Sequence, residues 1–146
     1  MEDMQQACGK VRNATYKLSL YDTKTKNDIL LAIADKILAS KKEIKAVNAM
    51  DIQNAKGKLS DAMIDRLTLT DARIELMAEG VRQVAELDDP VGKVVRQWTV
   101  ESGLEIKKVR APLGVIGVIY ESRPNVTVDV ASLCIKSGNG VILKGG

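Results

Sequence analysis

Ala111–Gly146 reads APLGVIGVIYESRPNVTVDVASLCIKSGNGVILKGG. Leu113–Tyr120 is apolar almost throughout, the pattern of a strand covered on both faces, as in a parallel sheet. The polar turn Glu121-Ser122-Arg123-Pro124-Asn125 follows. A helix begins near Val126, with Val126, Val130, Leu133 and Cys134 sharing one face at helical spacing. Gly138 ends it, and Val141–Leu143 makes a second short strand. This order predicts a right-handed βαβ unit. Both loops that follow its strands then reach the carboxyl edge of one sheet, where α/β proteins bind ligands.

Upstream the pattern is helical over residues 1–90. Ile29, Leu30, Ile33, Ile37 and Leu38 repeat at helical spacing, with Thr25-Lys26-Asn27-Asp28 as the expected cap. Ser40-Lys41-Lys42-Glu43 fits a capping box, so a new helix is expected there, running to Gly57. Ser60–Leu67 reads as a short helix. Thr70 is expected to cap the next, whose apolar stripe is Ile74, Met77, Ala78, Val81, Val84 and Ala85. Asp88-Asp89-Pro90 ends it. Val94–Val100 and Leu104–Val109 flank Glu101-Ser102-Gly103 and predict a hairpin over 94–110. Alternation at Trp98, Val100, Leu104 and Ile106 suggests a ribbon with one wet face.

Composition excludes several classes of function. The chain has 146 residues, 45% of them hydrophobic and 28% charged, enough for one domain with a real core. No apolar run approaches the roughly 20 residues of a membrane span. The start, MEDMQQACGK, lacks the basic and apolar regions of a secretory signal, so the cytoplasm is expected. A net charge of +3 and the absence of Phe argue against a nucleic-acid surface. The lysines near Lys36–Lys45 interleave with acids, as on a solvated helix face. The chain has no histidine, which rules out a Ser-His-Asp or Cys-His site and a histidine metal cluster built from it alone. Its two cysteines, Cys8 and Cys134, lie far apart and are expected to be reduced.

The candidate chemistry lies in the two loops. Arg123 and Lys144 offer fixed positive charge, and Gly145 and Gly146 allow close backbone approach. The start of the crossover helix adds free N–H groups and a partial positive charge. Together they point to an anionic ligand such as a dinucleotide or phosphoester; the plainer alternative is a polar turn and a surface lysine. Gly114-Val115-Ile116-Gly117 is not a phosphate loop, because no third glycine follows and no helix starts there. Cys134 falls mid-helix on the apolar face, where a thiolate is disfavoured.

PLGVIGVIYESRPNVTVD and SGNGVILKGG closely resemble the gamma-glutamyl phosphate reductase branch of the aldehyde dehydrogenase superfamily. VNAMDIQNA, MIDRLTLT and DDPVGKVV resemble the same family's N-terminal helices and the approach to its hairpin. The resemblance spans the whole chain but only about the first third of a family member. It implies an α/β fold: N-terminal helices, a hairpin and the first βαβ unit of a Rossmann-like cofactor domain that binds NADP, with the catalytic domain absent from residues 1–146. The implied activity is NADPH-dependent reduction of L-glutamate 5-phosphate to the 5-semialdehyde in proline biosynthesis. By the resemblance, Asn125 donates to the developing oxyanion, although the turn before it is longer than in typical aldehyde dehydrogenases. Lys144 matches the cation that meets the cofactor's adenosine ribose, where many members of this branch carry arginine. Ser122 and Arg123 are expected at cofactor or substrate phosphate, with Gly145 and Gly146 beside the cofactor. No metal is implied.

The family's nucleophilic cysteine lies far downstream, and neither Cys8 nor Cys134 matches its motif. The chain alone is therefore expected to be inactive. Two other readings stand beside this one: a non-catalytic nucleotide-binding remnant, and an oligomerisation module that forms homo-oligomers through the 94–110 hairpin. A parallel sheet of two strands leaves edges unpaired, so the isolated chain is expected to be helical but marginally stable or aggregation-prone.

Overall fold

A computed structural model of the chain describes residues 3–121 and 123–145. Five helices come first: α1 (Met4–Leu18), α2 (Thr23–Ala39), α3 (Lys41–Ala55), α4 (Asp61–Leu67) and α5 (Asp71–Glu86). A hairpin of β1 (Val94–Thr99) and β2 (Glu105–Val109) follows. The chain then forms β3 (Val115–Ile119), α6 (Asn125–Lys136) and β4 (Gly140–Lys144).

Local chemistry sets the helix starts, in two places differently from expectation. Asp22, not the Thr25–Asp28 segment, caps α2: its Oδ1 accepts from the Thr25 N–H at 2.7 Å. Thr25 already lies in the first turn. At Ser40 the new helix begins as expected, but without a capping box. The Ser40 N–H donates to Lys36 O at 2.9 Å and so closes α2. With φ −90° and ψ 9°, Ser40 lacks the extended backbone of a usual N-cap, and its hydroxyl makes no capping bond. One residue thus serves as the hinge between two consecutive helices. Thr70 does cap α5, its Oγ1 accepting from the Arg73 N–H at 3.2 Å.

The core forms where α2 packs along α5. Leu30 and Ala34 meet Ala78, Val81 and Ala85, and the alanines let the two helices approach closely. Val128 and Ile135 of α6 pack against this cluster. The buried arc of α6 therefore includes Val128, Ser132 and Ile135, while Leu133 is half exposed, contrary to the stripe expected from the sequence. Cys134 is buried as expected.

A polar node closes the same junction. Lys26 and Asp89 form an ion pair with side chains only 2% and 11% exposed. Burial pushes the Asp89 carboxyl up, but hydrogen bonds from Lys26, the Val91 N–H and the Thr23 hydroxyl outweigh it and hold its pKa below the usual value. Lys136 is also buried. Its ammonium donates to Asn27 Oδ1 at 2.6 Å and to Ala85 O at 2.8 Å, capping the carbonyl end of α5. Burial lowers the Lys136 pKa; Asp89 opposes that shift and Lys26 adds to it.

β3 and β4 pair in parallel, in register from Val115↔Gly140 to Ile119↔Lys144. With α6 between them they make a βαβ unit. α1 packs against both strands, and α6 against β4. Expected coverage on both faces is not met within this chain, since Ile119 is 87% exposed in a sheet only two strands wide. The hairpin also differs. All of β1 is exposed and only Ile106 of β2 is partly shielded, so neither face is dry. Gly103, at φ +81°, supplies the left-handed residue of its turn.

Two outcomes follow. Asp89→Asn leaves the Lys26 ammonium buried without its counter-charge, an expected loss of about 3–5 kcal/mol in urea unfolding at neutral pH. The depressed Asp89 pKa stabilises the fold above the ordinary carboxylate value of 3.8, and this is lost as pH falls through the lower folded value. The wild-type midpoint should thus fall more steeply than that of Asp89→Asn below that pH; parallel curves would refute the node's role. A Cβ at Gly140 would collide with Thr15 Oγ1 and lie 2.5 Å from Val11 Cγ1, so Gly140→Ala must displace α1 from the sheet. Its expected cost is about 1–3 kcal/mol, read as a lowered unfolding midpoint.

Candidate functional site

Strand pairing brings the two loops to one edge. Ile119 lies opposite Lys144, and the Tyr120 N–H donates to Lys144 O at 3.1 Å. The Tyr120 hydroxyl is hydrogen-bonded to that of Thr127 in the first turn of α6. A side chain at Gly145 would begin 3.8 Å from the Tyr120 ring. Tyr120 thus links the start of α6 to the end of β4.

Beside that edge opens a cavity of about 480 Å³. Arg123, Asn125 and Asp129 line it from the loop and the first turns of α6. Arg66 of α4 joins them, and Leu69, Arg73, Leu76 and Met77 come from the α4–α5 connection and α5. Buried Asn48 fixes that connection: its amide donates to Leu67 O at 2.8 Å, and its carbonyl accepts from the Leu69 N–H at 2.7 Å.

The Asn125 Nδ2 donates to Asp129 Oδ2 at 3.0 Å, one helical turn along. This bond uses one of the amide's two N–H groups and leaves the other for a ligand. Pro124 precedes the helix and makes no side-chain cap bond. The three arginines are not equivalent. Arg73 is tied to the Asp65 carboxylate at 3.0 and 3.2 Å and to Thr68 O at 2.8 Å. Arg66 and Arg123 have neither an ion pair nor a hydrogen bond among the described residues. Among the described residues, the cavity therefore holds two guanidiniums without an ion pair, Arg66 and Arg123, and one carboxylate, Asp129.

Asn125 and Arg123 share the cavity. Lys144 is exposed and does not line it; its ammonium donates to Gly145 O at the neighbouring strand end. Ser122 and Gly146 lie outside the described residues. Burial pushes the Cys134 thiol pKa up, which disfavours a thiolate there. Cys8 is half-buried in α1. Sequence reasoning missed Arg66, Arg73 and Asp129. Asp129 carried a signal, since positions four apart on a helix are neighbours. The arginines carried none, because only packing brings α4 and α5 to α6.

No family model matches the chain. Named relatives do. It is 49% identical over 146 residues to gamma-glutamyl phosphate reductase of Desulforamulus reducens, covering 99% of this chain and 35% of that protein. It is 52% identical over 145 residues to the Enterococcus faecalis protein of the same name, again 99% of this chain and 35% of the relative. The crystal structure of gamma-glutamyl phosphate reductase from Thermotoga maritima superposes with a TM-score of 0.95 at 42% identity, over 99% of this chain and 35% of that one. The chain thus spans about a third of the length of the relatives it matches. Over its whole length, it is a homologue of the N-terminal part of the gamma-glutamyl phosphate reductases.

Proposed function

We propose that these 146 residues supply the oxyanion donor and part of the cofactor surface of a cytoplasmic gamma-glutamyl phosphate reductase, an enzyme of proline biosynthesis. In this reading Asn125 donates to the carbonyl oxygen of L-glutamate 5-phosphate as a thiolate attacks its carbon and inorganic phosphate leaves. Reduction of the resulting thioester gives the semialdehyde and returns the thiolate. NADPH, when bound, supplies the hydride. The sulfur comes from outside these residues, consistent with the buried, protonated state favoured at Cys134.

One observation carries the reading: the Asn125 amide lines a cavity with Arg66 and Arg123, two guanidiniums that have no ion pair or hydrogen bond among the described residues. Such donors stabilise negative charge as it develops on a bound carbonyl. Lys144 and Gly145 suit the phosphate-bearing ribose of NADP by the chemistry of their donors, an exposed ammonium beside a glycine at a parallel strand's carboxyl end. The placement fits a Rossmann-like cofactor domain. The solvent-exposed ribbon of β1 and β2, with Val94, Val95 and Val109 in solvent, suits pairing with a second subunit.

The test is a chimera in which this chain replaces the matching part of the Thermotoga maritima enzyme. Phosphate-dependent reduction of NADP by glutamate semialdehyde, the reverse reaction, is the expected activity, and the chain by itself should show none. An Asn125→Ala chimera should lose about 10²–10³ in kcat. Lys144→Ala should raise the KM for NADP(H) with little change in the KM for the semialdehyde. A folded chimera without turnover, or one indifferent to Asn125, would overturn the reading.

A further inference from the structure

The Asn125 cavity holds more charged groups than an oxyanion donor needs. Arg66 and Arg123, from separate elements, both line it without an ion pair or hydrogen bond among the described residues. Asp129 lines it too; its Oδ2 accepts from Asn125, while its Oδ1 has no such partner among the described residues. Leu69, Leu76 and Met77 add an apolar wall. The volume of about 480 Å³ lies within the range of small-molecule sites.

We propose that this cavity recognises the amino-acid end of the substrate, with Arg66 and Arg123 on the α-carboxylate, Asp129 on the α-ammonium and the apolar wall along the methylenes. The inference rests on the glutamyl-phosphate reading above. A carboxylate among the cations decides the ligand class. A phosphate subsite gains nothing from Asp129, which would repel it. An α-amino acid uses all three charges, and planar guanidiniums match a carboxylate by paired hydrogen bonds. Asn125, hydrogen-bonded to Asp129, then stands near the position of the reacting carbonyl when the head group is seated.

The test is titration of the full 146-residue chain, followed by ¹H–¹⁵N spectra, with L-glutamate, glutarate and inorganic phosphate as probes. L-Glutamate should produce saturable shifts at the Asn125 and Asp129 amides. Arg66→Gln and Arg123→Gln should each weaken that binding about tenfold or more. Neither side chain is bonded to the described fold, so both variants should keep the wild-type spectrum elsewhere. Asp129→Asn, which keeps an acceptor for Asn125, should weaken L-glutamate but not glutarate, which lacks the ammonium. Absence of saturable shifts, indifference to Arg66→Gln, or tight phosphate binding independent of Asp129 would overturn the proposal. A turning-over chimera with no glutamate binding defeats this inference alone, and glutamate binding with a dead chimera defeats the functional reading alone.

Discussion

The junction of α2, α5 and α6 depends on a buried charge arrangement that must be fully satisfied to be tolerated. Two ammonium groups, Lys26 and Lys136, sit below the surface with the carboxylate of Asp89. Removing ions from water costs several kcal/mol each, so such a group is stable only when its hydrogen bonds are complete. Here they are shared among four segments. Lys26 meets Asp89 and Lys136 O; Lys136 meets Asn27 and the last turn of α5; Asp89 also takes the Val91 N–H and the Thr23 hydroxyl. Hydrophobic contact at Val128 and Ile135 attaches α6 to the helices. The charge node restricts how it attaches, because sliding α6 would leave an ammonium without acceptors.

That restriction acts at the C-terminal end of α6. α6 runs from Asn125 to Lys136, so Lys136 anchors it about 16 Å from Asn125. The near end is held by different means: the Tyr120 and Thr127 hydroxyls, the strand register and the Asn125–Asp129 bond. A helix held at both ends keeps the side chains of its first turn in a narrow range of positions. The guanidiniums of Arg66 and Arg123 lack comparable supports.

The chain's surfaces divide in the same way. Where α2, α5 and α6 meet, apolar groups are buried and the charged groups of the node are compensated. The outer hairpin, the approach to β3 and its far end keep apolar side chains in solvent, with Leu113 and Ile119 nearly bare. Such uncovered area is typical of surfaces that meet other protein.

Much of the architecture follows from local pattern. The apolar spacing of Ile74 to Ala85 defined α5 and its buried face, Thr70 its start, and the run from Leu113 to Leu143 a strand, a helix and a strand. These features depend on neighbours three or four residues away, or on the period of a strand, and so are written in the sequence. The dense words around Asn125 also marked the family. Tertiary structure decided what depends on distant partners. It turned α6 toward Val128 and Ile135, because two layers compete for that helix. It made Ser40 a hinge, because its N–H was already used by the preceding helix. It buried Lys26 and Lys136, residues that composition assigns to the surface, by bringing Asp89, Asn27 and the end of α5 to them. And it gathered Arg66, Arg123 and Asp129 around Asn125, since packing alone can bring two helices and a loop to one cavity.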